Sequence, residues 1–301
     1  MDAEGTGWAV LRLDDSAGAA MLPRRDSAGH KGSHGTLLCL VGSAQYAGAA
    51  LLVAASAARG GAGLVALAVP ASVVPLVAGR VPEAITLALP EADDDVEPAG
   101  ALEVISARPA EALVVGCGLA ESEGNRRLLV ELLSQLGAPA VVDGGALSLL
   151  AAERGVWRGI GRTCVLTPHP GEFARLTGRP VGGGADERIE RAREAAAAFG
   201  QLVVLKGART VICEPAGRTA VAPFANPALG SAGTGDVLAG LIGALLAQGL
   251  APWEAACLGV YLHGLAGERL RERLGEAGPV ASDLPIEVAL ARRALTGGRR
   301  D

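Results

Sequence analysis

The sequence predicts one α/β domain in three layers, helix–sheet–helix, around a mostly parallel central sheet. Two observations predict it. Continuous apolar runs of strand length recur at Thr36–Val41, Leu64–Val69, Ala112–Val115, Ala140–Val142, Cys164–Leu166 and Leu202–Leu205. Runs without polar alternation fit strands covered on both faces. Between them stand segments with helical periodicity, and a strand–helix–strand alternation is how parallel strands are connected.

Taken in order, residues 1–28 are rich in Ala, Gly and Asp without periodicity and are expected to form an arm or disordered tail, with the domain proper over residues 29–296. Thr36–Val41 ends in Gly42-Ser43, and Gly48–Ala58 is an Ala-rich helix closed by Arg59-Gly60-Gly61. Leu64–Val69 is stopped by Pro70, and the acidic stretch from Glu91 to Glu97 is expected to be a solvated loop. Ser122–Leu136, Asp186–Phe199 and Pro252–Leu274 are the longest remaining helices. Val203-Val204-Leu205, Val211-Ile212-Cys213 and Thr219-Ala220-Val221, separated by Gly-containing turns, predict an antiparallel meander near the sheet edge. From Val237 onward, Leu238, Leu241, Ile242, Leu245 and Leu246 form the stripe of a helix docked on a core, ending near Gln248-Gly249. No linker divides the chain, and no solenoid-length repeat appears.

Composition narrows the function classes. The hydrophobic share of 50% is mostly Ala, Val and Leu and aromatics are 3%, so the layers must pack closely through small side chains. A net charge of −5, with no basic run interleaved with aromatics, argues against a general nucleic-acid binder. Arg24-Arg25, Arg126-Arg127 and Arg292-Arg293 are only pairs, expected to be solvated. Cys39, Cys117, Cys164, Cys213 and Cys257 are scattered without C-x-x-C spacing and are expected to be buried thiols of a reducing cytoplasm. No apolar run of about 18 residues and no charged-then-apolar leader is seen, so neither a membrane span nor a signal peptide is expected.

In an open sheet of this kind, ligands bind outside the carboxyl ends of the strands, and the Gly-rich polar segments fall there. The loop Asn226–Asp236 delivers a carboxylate to the start of a long helix, whose free N–H groups and dipole favour an anion. Asp236 beside a bound phosphoryl group is suited to take a proton from the hydroxyl that attacks it. Thr234 or Asp236 as an ordinary helix cap accounts for the same residues. Gly42–Ala50 and Gly116-Cys117-Gly118 read as places of close ligand approach or as plain turns. In Thr167-Pro168-His169-Pro170-Gly171-Glu172, Pro170 suits a first helical position and Glu172 its first turn. On the functional reading His169 touches substrate and Glu172 orders water on a phosphate-bound Mg²⁺. Lys206-Gly207-Ala208-Arg209-Thr210 holds a nucleotide phosphate or forms a solvated turn. His263 sits inside a helix, where core or interface is the simpler assignment, and His30 and His34 precede the first long strand.

In the order GSAQYAGAA, VGCGLA, VVDGGALSLL, LTPHPGEF, VLKGARTVI and NPALGSAGTGDVLAG, these loops resemble the ADP/ATP-dependent NAD(P)H-hydrate dehydratases, a branch of the ribokinase-like superfamily. The resemblance runs from Leu22-Pro23-Arg24 to Gly267 and covers nearly the whole chain. It implies a ribokinase-like fold and a lyase that repairs nicotinamide cofactors. Such an enzyme dehydrates (6S)-NADHX or NADPHX to NADH or NADPH, and bacterial members use ADP, with Mg²⁺, and release AMP and phosphate. By motif position Asp236 is the base that deprotonates the hydrate hydroxyl. Lys206, Gly207, Ala208, Arg209, Thr210 and Gly235 hold the adenine nucleotide, ADP or ATP. Ala49, Gly116, Gly118, His169 and Asp236 line the hydrate. The resemblance further implies a cytoplasmic homotetramer and a functional partner, the hydrate epimerase, which residues 1–28 are too few to encode and which is therefore expected on a separate chain.

Three positions depart from the family pattern. D-A-D-A-L-N reads Asp143-Gly144-Gly145-Ala146-Leu147-Ser148, G-P-G-L-G reads Gly116-Cys117-Gly118-Leu119-Ala120, and T-G-G-S-G-D reads Ser231-Ala232-Gly233-Thr234-Gly235-Asp236. The first removes polar groups from the substrate side. A ribokinase-like kinase of a thiazole or pyrimidine alcohol and a catalytically silent nucleotide-binding module are the alternative readings.

Overall fold

The computed structural model describes residues 9–135, 137–153 and 155–297. From the N-terminus, β1 (Val10–Arg12) and α1 (Asp15–Met21) precede β2 (Thr36–Leu40), α2 (Ala47–Gly60), β3 (Leu64–Pro70), α3 (Val74–Val77) and β4 (Ala84–Leu89). A small hairpin of β5 (Glu91–Ala92) and β6 (Asp95–Val96) leads to α4 (Pro98–Ser106), β7 (Ala112–Val115), α5 (Glu123–Ser134) and β8 (Ala140–Val142). Then come α6 (Gly145–Leu149), α7 (Val156–Gly159), β9 (Cys164–Leu166), α8 (Pro170–Thr177), α9 (Ala185–Phe199) and β10 (Leu202–Leu205). The meander β11 (Val211–Cys213) and β12 (Thr219–Val221) is followed by α10 (Thr234–Ala247), α11 (Pro252–Leu274) and α12 (Leu284–Leu295).

The main sheet has ten strands in the order β1-β12-β11-β10-β9-β8-β7-β2-β3-β4. All neighbouring pairs are parallel except β10–β11 and β11–β12. The chain leaves β2 toward β3 and β4, then returns to place β7 on the other side of β2. This reversal is a topological switch point, and there the loops after β2 and β7 are joined, Gly42 N donating to Cys117 O at 2.8 Å.

The period-two alternation of each strand divides its side chains between two cores. Leu37, Cys39, Val114 and Val204 face one side with α2, α10, α11 and α12, while Leu38, Leu40, Val115 and Leu205 face the other with α5, α8 and α9. Every residue of α10 from Val237 to Ala247 is buried, so this helix is central rather than amphipathic, a wider burial than its stripe predicted. Small side chains make that possible. A Cβ on Gly240 would lie 2.5 Å from the Val53 carbonyl oxygen, so α2 and α10 touch through backbone.

Three expectations are corrected. The described part of the expected N-terminal arm is ordered: β1 pairs in parallel with β12, Leu13 is buried, and Asp15 accepts a 2.8 Å hydrogen bond from the Tyr261 hydroxyl of α11. Residues 1–8 of that arm lie outside the described residues. The acidic stretch is not simply solvated, because Glu91 binds Ser72, Asp95 accepts from Ser122 Oγ and Gly124 N, and Glu97 caps α4. Short carboxylate-rich segments near helix starts find N–H donors that periodicity does not reveal. Arg292 is likewise half-buried, bonded to Gly60 O and Gln248 Oε1. The other expected strand and helix boundaries and the meander agree with the structure to within a few residues, and all five cysteines are free and buried. No helix among the described residues is long and apolar enough to cross a membrane.

Candidate active site

The site is built at the carboxyl ends of β7, β8 and β10, around the N-terminus of α10. Gly233 occupies the N-cap with φ +88°, a left-handed conformation suited to glycine, and no side chain caps this end. The hydroxyl of Thr234 is turned back to Leu229 O at 2.8 Å, so it does not cap the helix. The first-turn N–H groups of Gly235 and Asp236 therefore have no partner among the described residues, and Gly235 lines a cavity. Asp236 does not cap its helix either. Burial first, and the neighbouring charge of Asp143 second, raise its pKa from 3.8 to about 6.

Asp143, at the end of β8, organises the floor. Its Oδ1 accepts from Lys206 Nζ at 2.6 Å and from Thr167 Oγ1 at 2.7 Å, and its Oδ2 accepts from the Cys117 thiol at 3.6 Å. Lys206 also lies 3.7 Å from Glu172 Oε2. Burial opposes the charged ammonium, but Asp143 and Glu172 outweigh it and hold the Lys206 pKa above its ordinary value. Cys117 Sγ and carboxylate oxygens of Asp143 and Asp236 lie within 4.8 Å of one another. Burial, then the two carboxylates, push this thiol well above its ordinary range, so it is a protonated donor rather than a thiolate.

At the start of α8, His169 and Glu172 form a reciprocal cap. His169 Nδ1 accepts from Gly171 N and Glu172 N, and Glu172 Oε2 accepts from His169 N at 2.8 Å. Because Nδ1 accepts, the proton of neutral His169 sits on Nε2, 3.5 Å from Glu172 Oε1. The imidazole is half exposed at the rim, whereas Glu172 is buried. Glu172 Oε1 keeps lone pairs for a hydrated cation, so the donor set fits Mg²⁺ held through water.

On one side of Lys206 lies a cavity of about 340 Å³. Lys206, Gly207, Ala208, Thr210 and Gly235 line it, together with Phe224 and His263. Arg209 does not line it. Its φ of +54° and the hydrogen bond from its N–H to Phe224 O make it the bend of the turn instead. Ala49, Gly116, Gly118 and His169 stand apart from this cavity. A Cβ on Gly118 would lie 2.7 Å from that of Ala49, so these two adjoin, and one on Gly116 would lie 1.9 Å from Asp143 O. His169 is tied to this side through Glu172, which lies 3.7 Å from Lys206 Nζ. A Cβ on Gly235 would lie 3.3 Å from Lys206 Nζ. Lys206 and Gly235 of the cavity thus adjoin Asp143, which Gly116 and Cys117 also touch.

Gly145 has a steric reason. A Cβ there would lie 2.6 Å from Leu119 O, and Gly145 N donates to Gly116 O at 3.0 Å. The loop after β7 sits directly on the loop after β8 and fills the space a longer side chain would need.

Sequence reasoning passed over three contributors. Asp143 appeared only within a departing loop, although a carboxylate directly after an apolar parallel strand was the available signal. His263 was assigned to core or interface. It is buried, lines the cavity and bonds Thr234 O through Nε2 at 2.9 Å, and burial lowers its pKa to about 4, so it is neutral. Phe224 gave no signal, because nothing local marks a lone aromatic as a cavity wall.

The chain is similar to proteins of known family. The sequence profile of the NAD(P)H-hydrate dehydratase family matches residues 37–285. A bifunctional NAD(P)H-hydrate repair enzyme of Moorella thermoacetica is 42% identical over 267 residues, covering 88% of this chain and 50% of that protein. An ADP-dependent (S)-NAD(P)H-hydrate dehydratase of Neisseria meningitidis is 37% identical over 270 residues, covering 88% of this chain and 86% of that protein. The crystal structure of the ADP/ATP-dependent NAD(P)H-hydrate dehydratase of Bacillus subtilis, co-crystallised with ATP/Mg²⁺, superposes with a TM-score of 0.81 at 32% identity, covering 95% of this chain and 99% of that one. The fold is accordingly ribokinase-like. The chain spans about half the length of the bifunctional relatives it matches. By family profile, sequence and structure alike, this chain belongs to the NAD(P)H-hydrate dehydratase family.

Proposed function

We propose that the protein catalyses the ADP-dependent dehydration of (6S)-NADHX and NADPHX to NADH and NADPH, releasing AMP and phosphate. The observation that carries the reading is the position of Asp236: a carboxylate with a raised pKa at an uncapped helix N-terminus, between the cavity lined by Gly207 and Thr210 and the floor made by Asp143. Asp236 takes the proton of the hydrate hydroxyl, and the oxygen attacks the terminal phosphorus of ADP. The bond from that phosphorus to the bridging oxygen breaks and AMP leaves with the electron pair. Phosphate then departs from the ring with the C–O bonding electrons, and loss of a neighbouring ring proton restores the dihydronicotinamide.

In this reading Lys206, Gly207, Ala208, Thr210 and Gly235 hold the nucleotide, with Arg209 shaping the turn, while Ala49, Gly116, Gly118 and His169 line the hydrate. Mg²⁺, when bound, neutralises phosphate charge, and Glu172 contacts it through water. Neutral His263 and the apolar wall of Phe224 suit a base more than a phosphate. The family resemblance supports a homotetramer acting with a hydrate epimerase, and the five buried free thiols support a reducing compartment such as the cytoplasm. Formation of NADH from NADHX and ADP, with AMP as coproduct, tests the reading. Accumulation of a stable phosphorylated alcohol from a thiazole or pyrimidine substrate would favour a kinase instead.

A further inference from the structure

Arg188, in the first turn of α9, is a buried cation that makes no ion pair among the described residues. It is 8% exposed. Its Nη2 donates to Leu205 O at 3.2 Å and Lys206 O at 3.0 Å, while its Nε is buried without a partner. The adjacent Glu187 is turned away, accepting from Gly182 N at 3.1 Å. Burial lowers the Arg188 pKa and no neighbouring carboxylate raises it, yet a guanidinium remains charged in any such setting. A buried charge without a partner costs folding free energy.

The location gives that charge a use. The guanidinium lies against Gly207, since a Cβ there would come within 2.9 Å of Nη2 and 3.4 Å of Cζ, and Gly207 itself lines the cavity. Lys206, the cation named by the motif, is already paired with Asp143 and faces Glu172. With Asp236 beside them, the floor carries more negative than positive charge, so a polyphosphate there needs further positive charge near the turn, from the protein as well as from Mg²⁺.

We infer that Arg188 is the positioning residue for the nucleotide phosphates. It pins the end of β10 through two carbonyl groups and supplies uncancelled positive charge behind the Gly207 turn. The inference rests on the nucleotide reading of the cavity. It differs from a simple backbone brace, which would serve adenosine and ADP equally.

The test is equilibrium titration of ADP and of adenosine into the wild-type protein, Arg188→Gln and Arg188→Lys, each verified as folded by circular dichroism and thermal melting. Arg188→Gln is expected to weaken ADP binding about tenfold or more while leaving adenosine within about twofold, and Arg188→Lys to retain most of the ADP preference. Unchanged ADP affinity in Arg188→Gln overturns the inference, as does an equal loss for both ligands. If Arg188→Gln does not fold, folded Arg188→Lys decides: an ADP-to-adenosine preference reduced about tenfold contradicts the role of charge, and a retained one supports it. Wild-type protein that binds neither ADP nor ATP refutes the nucleotide reading itself, an outcome separate from these.

Discussion

Lys206 Nζ lies 2.6 Å from Asp143 Oδ1, joining the end of β10 to the end of β8 across the intervening strand β9. The pair is largely buried, with side-chain exposures of 17% and 4%, and Thr167 completes the carboxylate's hydrogen bonds. Breaking such a pair by removing one member leaves an uncompensated charge. Asp143→Ala is therefore expected to lose about 3 kcal/mol in urea unfolding. It also removes a like charge from beside Asp236, so the acid limb of the activity profile moves to lower pH. An unchanged limb would show that Asp143 does not act on Asp236.

The pH dependence follows from Asp236. As a base it must be ionised, and its folded pKa is raised to about 6. Activity in kcat/KM is expected to be level above pH 7 and to fall about tenfold per pH unit below about 6. A profile flat down to about pH 4.5 would remove Asp236 from the role of base.

The same raised pKa has a stability cost of opposite sign to that of a salt-bridged carboxylate. The folded value lies above the ordinary 3.8, so stability is lost as pH rises from about 4 through about 6 and stays lost above that. Asp236→Asn is accordingly expected to be more stable than the wild type at pH 8, by about 1–3 kcal/mol, and no more stable at pH 4. Thermal melts at the two pH values measure the difference.

Restoring an acid at Gly145 is expected to fail. The Cβ would meet Leu119 O at 2.6 Å, so Gly145→Asp must push the loop after β7 away from Asp143. Overpacking of this kind costs about 1–3 kcal/mol, and turnover should fall rather than rise. A gain in turnover would mean that the Gly116–Leu119 loop yields freely.

Much of this was legible in the sequence, for physical reasons that can be named. Parallel strands buried on both faces must be apolar throughout, so β2, β3, β7, β8, β9 and β10 announced themselves. Glycines and Pro170 marked the turns and helix starts around Asp236 and Glu172. The order of β1 did not show, because a three-residue strand at a sheet edge has one buried partner and little periodicity. Asp143 and Arg188 were illegible in a different way. Their importance comes from partners 63 and 17 or 18 residues away, and only the assembled sheet brings those groups within hydrogen-bond distance.

The most direct test of the central claim is product formation by the purified protein given NADHX, ADP and Mg²⁺, with NADH followed by absorbance and AMP and phosphate quantified. NADH, AMP and phosphate are expected in equal amounts, with Asp236→Asn binding ADP but forming none of them. No NADH from a folded preparation supplied with either ADP or ATP, or undiminished turnover in Asp236→Asn, would contradict the account.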